Sequence, residues 1–216
     1  KIKVCLVGLA SGVVLGNLGY THCSIEDMAI LRSIPNITIL SPADCTETAK
    51  AVESMLRHKG SVYLRLTGGP NNPIVYNDDY SFEIGKSIKL REGDDCTIFA
   101  TGTMVSVSLK PADILEKKNI KAEVINMHTI KPIDKLQIEI SAKKNKTIFS
   151  IEEHSIYGGL GSAIAEVLVE QEIRPKLIKI GLKDSYDIEG DYKFILEQNG
   201  LNPELVAKKI LVEHKI

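Results

Sequence analysis

The first 66 residues alternate between two periods, and that alternation limits the fold more than any other feature. Ile2–Val7, Ile37–Leu40 and Ser61–Leu66 are short β-rich apolar runs. A glycine-rich loop, Gly8–Gly19, follows the first run. Behind it Ile25, Met28, Ala29 and Leu31 recur at helical spacing. Ser24 is placed to cap that helix, Glu26 and Asp27 suit its first turn, and Pro35-Asn36 ends it. Ser41-Pro42-Ala43-Asp44 reads as a turn, with Asp44 or Thr46 capping a second helix that runs to about Arg57. Strand, helix, strand, helix, strand predicts a parallel sheet with right-handed crossovers.

The character changes at Thr67–Tyr80, TGGPNNPIVYNDDY, which reads as a loop and an interdomain linker. A second α/β rhythm begins after it. Strands are expected at Cys96–Ala100, Ala122–Asn126, Thr147–Glu152 and Leu177–Ile180. Helices are expected at Met104–Lys118, disturbed at Pro111, at Lys135–Lys143, and from the Gly158–Gly161 turn to about Gln171. Asn202 and Pro203 have the residue types of N-cap and N1 for a last helix.

Composition narrows the function classes. The 216 residues are 44% hydrophobic with a net charge of −1 and mixed acids and bases, so nothing electrostatic points to nucleic acid or to an anionic membrane surface. The apolar runs are too short to span a bilayer. No charged-then-apolar leader opens the sequence, and the four cysteines, Cys5, Cys23, Cys45 and Cys96, form no CxxC pair and no zinc spacing. A cytoplasmic location is expected, with each cysteine a small buried hydrophobe. The sequence opens on Lys1-Ile2-Lys3-Val4 without Met and runs straight into a strand, which reads as a piece of a longer protein.

Few residues have the placement that chemistry needs. His22 lies between a glycine-rich loop and a helix, where backbone amides attract anions and an imidazole adds a donor or carries a proton; the alternative is a loop histidine bonded to backbone. Arg65 ends a strand just before Thr67-Gly68-Gly69, where open α/β sheets bind ligands, and is either an anion ligand or a surface ion pair. YGGLGSAIAEVL has neither the GxGxxG spacing with its acidic partner nor GK[ST], so it reads as a tight turn with close helix–strand packing rather than a nucleotide loop. Glu152-Glu153-His154 reads as surface or interface polar contacts, and His58, His128 and His214 have no evident partners.

Together these segments resemble one family. THCSIEDMAILRSIPNITILSPADCTET is similar to the middle of transketolase-type thiamine-diphosphate enzymes. SVYLRL resembles the strand ending their pyrimidine-binding domain, and VINMHTIKPID, IEEHSIYGGLGSAIAEVL and EQNGLNPELVAKKI resemble successive parts of their C-terminal domain. The resemblance implies two three-layer α/β domains: an incomplete thiamine-diphosphate pyrimidine-binding domain over residues 1–78 and, after a linker at 79–92, a transketolase C-terminal domain over 93–216 with a mostly parallel sheet.

It also implies a function. The chain would be the C-terminal portion or subunit of an enzyme moving a two-carbon ketol unit from a ketose to an aldose. Thiamine diphosphate with Mg²⁺ would act in the assembled enzyme and bind nothing on this chain alone. The implied partners are an N-terminal transketolase subunit or domain carrying the pyrophosphate site, a further copy of the chain, and a small-molecule sugar. A deoxyxylulose-phosphate synthase, an oxo-acid dehydrogenase β component and a noncatalytic assembly module are the alternatives. His22 matches the family's TH histidine, and is implied to be catalytic and to touch substrate; Arg65 is implied to sit near the substrate's anionic end. Leu9-Ala10 and Leu18 depart from the family, which carries a His and an Asp in those regions. The activating Glu and the aromatic that stacks on the pyrimidine would lie upstream of Lys1.

Overall fold

The apolar runs of the first rhythm pair as expected and then recruit a strand from the second. The computed structural model describes residues 2–69, 72–77, 79–186 and 189–214. β1 (Cys5–Ser11), β2 (Ile37–Leu40) and β3 (Ser61–Thr67) form a sheet with β7 (Thr129–Lys131) in the order β1-β3-β2-β7. β3 is parallel to both β1 and β2, while β7 joins β2 antiparallel. Five further strands are β4 (Ile88–Arg91), β5 (Cys96–Ala100), β6 (Ala122–Asn126), β8 (Thr147–Ser155) and β9 (Lys176–Leu182). They form a second sheet ordered β4-β6-β5-β8-β9, parallel except for the β4–β6 pair. The class is α/β with two sheets in which parallel pairing dominates.

Among the described residues seven helices cover these sheets: α1 (Asp27–Arg32), α2 (Cys45–Arg57), α3 (Met104–Glu116), α4 (Lys135–Lys144), α5 (Leu160–Val169), α6 (Tyr192–Gln198) and α7 (Pro203–His214). Caps explain several starts. Asp44 accepts the Glu47 amide at 2.8 Å, Asp191 accepts that of Phe194 at 2.9 Å, and Asn202 accepts that of Leu205 at 2.8 Å. Pro111 sits inside α3 without ending it.

Three apolar clusters hold the layers together. Ile98, Phe149 and Ile151 pack with Leu115 of α3 and Ile210 of α7. Leu40, Val62 and Leu64 pack with Ala51 and Met55 of α2. The remaining cluster crosses between the sheets: Ile37, Ile39, Tyr63 and Met28 join Phe99, Ile125, Ile148, Ile138 and Ile164. Burying side chains of this size contributes about 1.5–3 kcal/mol each, so this shared cluster binds the two sheets into one packed body.

Several expectations change. The helix expected from Ser24 begins at Asp27 with no side-chain cap, because Ser24 instead pairs its backbone with Gly12. β8 runs through Glu152, Glu153 and His154, which are buried rather than at the surface. β4 lies inside the stretch 79–92 read as linker, and its alternating charges hid it. Of the Thr67–Tyr80 loop, Pro70, Asn71 and Asp78 lie outside the described residues, as do Lys1 and the ends of the chain at 215–216. Val75 and Tyr76 tie that loop back to α2, donating to Asp44 Oδ2 at 2.6 and 3.2 Å. Only Cys96 is a buried cysteine; Cys5 lies on an edge strand and Cys45 at the first residue of a helix, and both are exposed. His128 is buried too, stacked on Phe82 with ring centroids 4.1 Å apart.

Candidate functional site

The C-terminal end of β1 leads into a loop that returns to its own start. Gly12 and Ser24 exchange backbone hydrogen bonds of 2.8 and 3.0 Å, and two short 3-10 turns, Gly16–Leu18 and Tyr20–His22, fill the loop between them. Gly12 has φ of 87°, a conformation other residues rarely adopt. His22 ends the second turn and is exposed, with Nδ1 3.0 Å from Thr21 Oγ1. Nε2 has no partner among the described residues, which leaves it the nitrogen able to meet a ligand. Leu18, also on this loop, is exposed, and Ala10 occupies the left-handed region at φ of 55°.

Beneath the loop lies a polar knot between the two sheets. Arg65 was expected to meet a substrate anion, but its side chain is 1% exposed. Nε donates to Asp27 Oδ2 at 2.8 Å, Nη1 to Thr67 Oγ1 at 3.0 Å, and Nη2 to the carbonyls of Ser24 and Glu153 at 3.4 and 2.9 Å. Its charge is spent inside the fold, so an anion arriving from solvent does not reach it. Tyr63 adds a hydroxyl donor to Asp27 at 2.7 Å. Burial by itself raises the Asp27 carboxyl, but the Arg65 guanidinium and the Tyr63 hydroxyl outweigh it and hold Asp27 below its ordinary value.

The three residues Glu152, Glu153 and His154 take separate roles. Glu152 accepts the amides of Leu160 and Gly161 at 2.6 and 2.8 Å, at the N-terminus of α5. The anion site that such a helix start offers is thus filled by the chain's own carboxylate. Gly159 permits this approach, since a Cβ there would collide with Glu152. Burial pushes Glu152 up to about 7. Glu153 accepts the Val13 amide and the hydroxyls of Thr103 and Tyr192 at 2.8, 2.8 and 2.6 Å. Burial also raises its carboxyl. His154 has Nδ1 2.8 Å from the Ser155 carbonyl, and its Nε2 accepts the Ala29 amide at 3.4 Å. Burial lowers it to about 4, so it is neutral at pH 7, and its 3.9 Å approach to Asp27 is no ion pair.

A second buried carboxylate cluster stands at the seam between α2 and β6. Glu47 accepts the Ala43 amide at 2.7 Å and Asn126 Nδ2 at 2.9 Å, and Asn126 Nδ2 also reaches the Tyr76 hydroxyl at 2.6 Å. Burial pushes Glu47 up to about 7.

His22 and Arg65 are therefore not brought together as one ligand-facing pair: one lines the surface of the loop, the other fastens its base. Asp27, Glu153 and Tyr192 were missed as parts of this region. Asp27 was read only as a first-turn acid; the doublet Glu152-Glu153 at a strand end was the available signal. Among the described residues, no group of three His, Cys, Asp or Glu side chains could hold a metal ion. No helix of those residues is long and apolar enough to cross a membrane.

Comparison with known proteins follows the same division. The model of the transketolase pyrimidine binding domain matches residues 1–69, and that of the transketolase C-terminal domain matches residues 85–206. A putative transketolase C-terminal section of Methanocaldococcus jannaschii is 38% identical over all of this chain and 67% of its own length. An apulose-4-phosphate transketolase subunit of Phocaeicola vulgatus is 36% identical over 97% of this chain and 66% of its own. A solved structure described as a split gene transketolase, inactive beta4 tetramer, superposes with a TM-score of 0.85 at 35% identity, covering 98% of this chain and 66% of that one. The chain thus spans about two thirds of the length of these relatives.

Proposed function

The chain belongs to the transketolase family, and from that premise we propose that it is the C-terminal portion of a two-part enzyme transferring a two-carbon ketol unit between a ketose and an aldose. The observation that carries this reading is the His22 loop. It lies outside the carboxyl end of a strand in a mostly parallel sheet, where such sheets bind ligands, and it presents an exposed imidazole. Residues 1–78 are taken as the pyrimidine-side domain and 93–216 as the C-terminal domain, acting in the cytoplasm.

Thiamine diphosphate with Mg²⁺ is the cofactor that this reading brings, and the described residues do not make up its donor set. Both oxygens of Glu152 and of Glu153 are engaged inside the chain, Asp27 is paired with Arg65, and no metal-binding group is formed. The contacts to the cofactor are assigned to the N-terminal partner and to other parts of the enzyme. This chain contributes one wall. On it, His22 holds or moves a proton at a substrate oxygen, and the apolar Leu18 stands where the resemblance to transketolases implies an Asp. Arg65 is not proposed as a substrate ligand.

The partner reading has its own support. Among the described residues β1 has β3 on one side only, and its Leu6, Val7 and Leu9 are exposed, as is Val4 just before it. An apolar edge of this kind requires a neighbour or invites association, which fits an N-terminal subunit and a second copy of the chain.

The test is ketol transfer by the full gene product assembled with its N-terminal partner, thiamine diphosphate and Mg²⁺. His22→Ala is expected to lower kcat/KM by about 100-fold, the size of a lost acid–base or polar transition-state contact. An unchanged kcat/KM removes His22 from the mechanism, and an assembled pair that binds no cofactor removes the enzyme reading.

A further inference from the structure

The loop carrying His22 is held by the other half of the molecule. At its base Val13 donates its amide to Glu153 Oε1 at 2.8 Å, and Glu153 belongs to β8 of the second sheet. The carboxylate lies so close that a Cβ on Gly12 would collide with it, so the chain can turn here only as glycine. Arg65 Nη2 bonds the Glu153 carbonyl at 2.9 Å and the Ser24 carbonyl at 3.4 Å, so β8 is tied to the far end of the loop as well.

The other carboxylate oxygen, Oε2, receives the hydroxyls of Thr103 at 2.8 Å and of Tyr192 at 2.6 Å. Tyr192 opens α6, and α6 continues along the same loop. Ile195 fills the space that a Cβ on Gly16 would need, and the Gly190 amide lies 3.4 Å from the Gly16 carbonyl. Further along, the rings of Tyr186 and Tyr20 meet edge-on with centroids 4.9 Å apart. The contacts of Val13 with Glu153, of Gly16 with Ile195 and Gly190, and of Tyr20 with Tyr186 join residues 12–24 directly to residues 153–195.

A buried carboxylate is costly without donors, and Glu153 has three, of which one is a loop amide. Its own backbone belongs to β8, in the stretch between Ile151 and Ser155 where the register with β9 shifts, and Arg65 Nη2 holds its carbonyl. A side chain fixed in this way sets a loop's position more closely than contacts within the loop can. We propose that Glu153, together with Tyr192, is a positioning residue for His22: the C-terminal sheet sets the geometry of a site borne on the N-terminal one. This rests on the reading of His22 given above.

The experiment uses the assembled enzyme with its N-terminal partner, thiamine diphosphate and Mg²⁺, and three variants: His22→Ala, Glu153→Gln and Tyr192→Phe. Steady-state kinetics is paired with hydrogen–deuterium exchange of the peptide covering 12–24, which reports on the loop without reference to activity. Glu153→Gln is expected to lower kcat about tenfold with KM within about twofold, since mispositioning acts on the reacting step more than on binding. Exchange in 12–24 is expected to quicken about tenfold while the β5 and β8 amides keep their protection, with Tyr192→Phe moving both readouts the same way but less.

Wild-type kcat and wild-type exchange in Glu153→Gln, alongside a slowed His22→Ala, overturn the inference. A His22→Ala enzyme with unchanged kcat/KM defeats the reading of His22 first, and the positioning role falls with it. Should Glu153→Gln fail to assemble, Tyr192→Phe decides on the same two readouts: a slower kcat with faster loop exchange supports the proposal, and wild-type values overturn it.

Discussion

β1 and β5 are both apolar strands that open with a cysteine, yet every residue of β5 is buried while most of β1 is exposed. Their side chains do not account for the contrast. β5 lies in the middle of its sheet, between β6 and β8, with α3 packed on one side and α4 and α5 on the other. Among the described residues β1 has one strand neighbour, and the helices of the first sheet pack on its other strands: α2 covers Leu40, Val62 and Leu64, and the six-residue α1 covers Tyr63 and Ile39 through Met28. Leu9 is left 75% exposed. Among the described residues the second sheet covers its middle strand on both faces, and the first leaves β1 open.

The largest effect should come from the closed sheet. Phe149→Ala is expected to cost about 4 kcal/mol in denaturant unfolding, the sum of lost transfer and cavity terms. The matching cut in the open sheet, Leu6→Ala, should cost under about 0.5 kcal/mol. A Leu6→Ala penalty comparable to that of Phe149→Ala would mean that β1 is covered in solution, and the comparison would break.

The seam between the sheets comes next. Arg65→Met leaves Asp27 charged and unpaired in a buried place, at a cost of about 3 kcal/mol. Adding Asp27→Leu should recover most of that loss. A double variant no more stable than Arg65→Met would show that the pair is not what Arg65 serves.

The smallest effect is a pH slope. Glu47, raised to about 7, keeps a proton in the folded chain that the unfolded chain has lost above its ordinary 4.5, so Glu47 makes stability fall as pH rises through that window. His128 is lowered to about 4 by burial, so between 4 and 6.5 the unfolded chain binds a proton that the folded chain refuses. His128 therefore makes stability rise with pH, and the two oppose each other. Glu47→Gln removes the falling part. Glu152 and Glu153 add falling slopes and His154 a rising one, the same in both proteins, so between pH 5 and 6.5 the stability of Glu47→Gln should rise relative to the parent's by about 2 kcal/mol across the window. Parallel pH profiles would show that Glu47 titrates normally and that its burial carries no such cost.

How much could be read in advance depended on range. β2, β5 and β6 begin and end where their apolar runs do. The caps at Asp44 and Asn202 were legible because a cap is a contact between residues three apart in sequence. β8 was cut short at Glu152 because charged residues interrupt the apolar pattern; the strand continues because their partners wait at Leu160, Thr103, Val13 and Tyr192. β7 has only three residues and no pattern of its own, and it exists because β2 offers it an edge. Arg65 looked like a ligand-facing cation because Asp27 lies 38 positions away and the Glu153 carbonyl 88 away.

The sequence by itself determined the class of fold, the order of its elements apart from β4, β7 and α6, the family, and the place of His22 on a loop after the first strand. Those follow from period, turn chemistry and caps, which act over a few residues. The tertiary structure alone decided which charges are spent inside: Arg65 on Asp27, Glu152 on the start of α5, and Glu153 on the loop of the opposite sheet. Pairing a charge with its partner is a matter of distance in space, and no local pattern encodes which distant donors will surround a carboxylate once the sheets have packed.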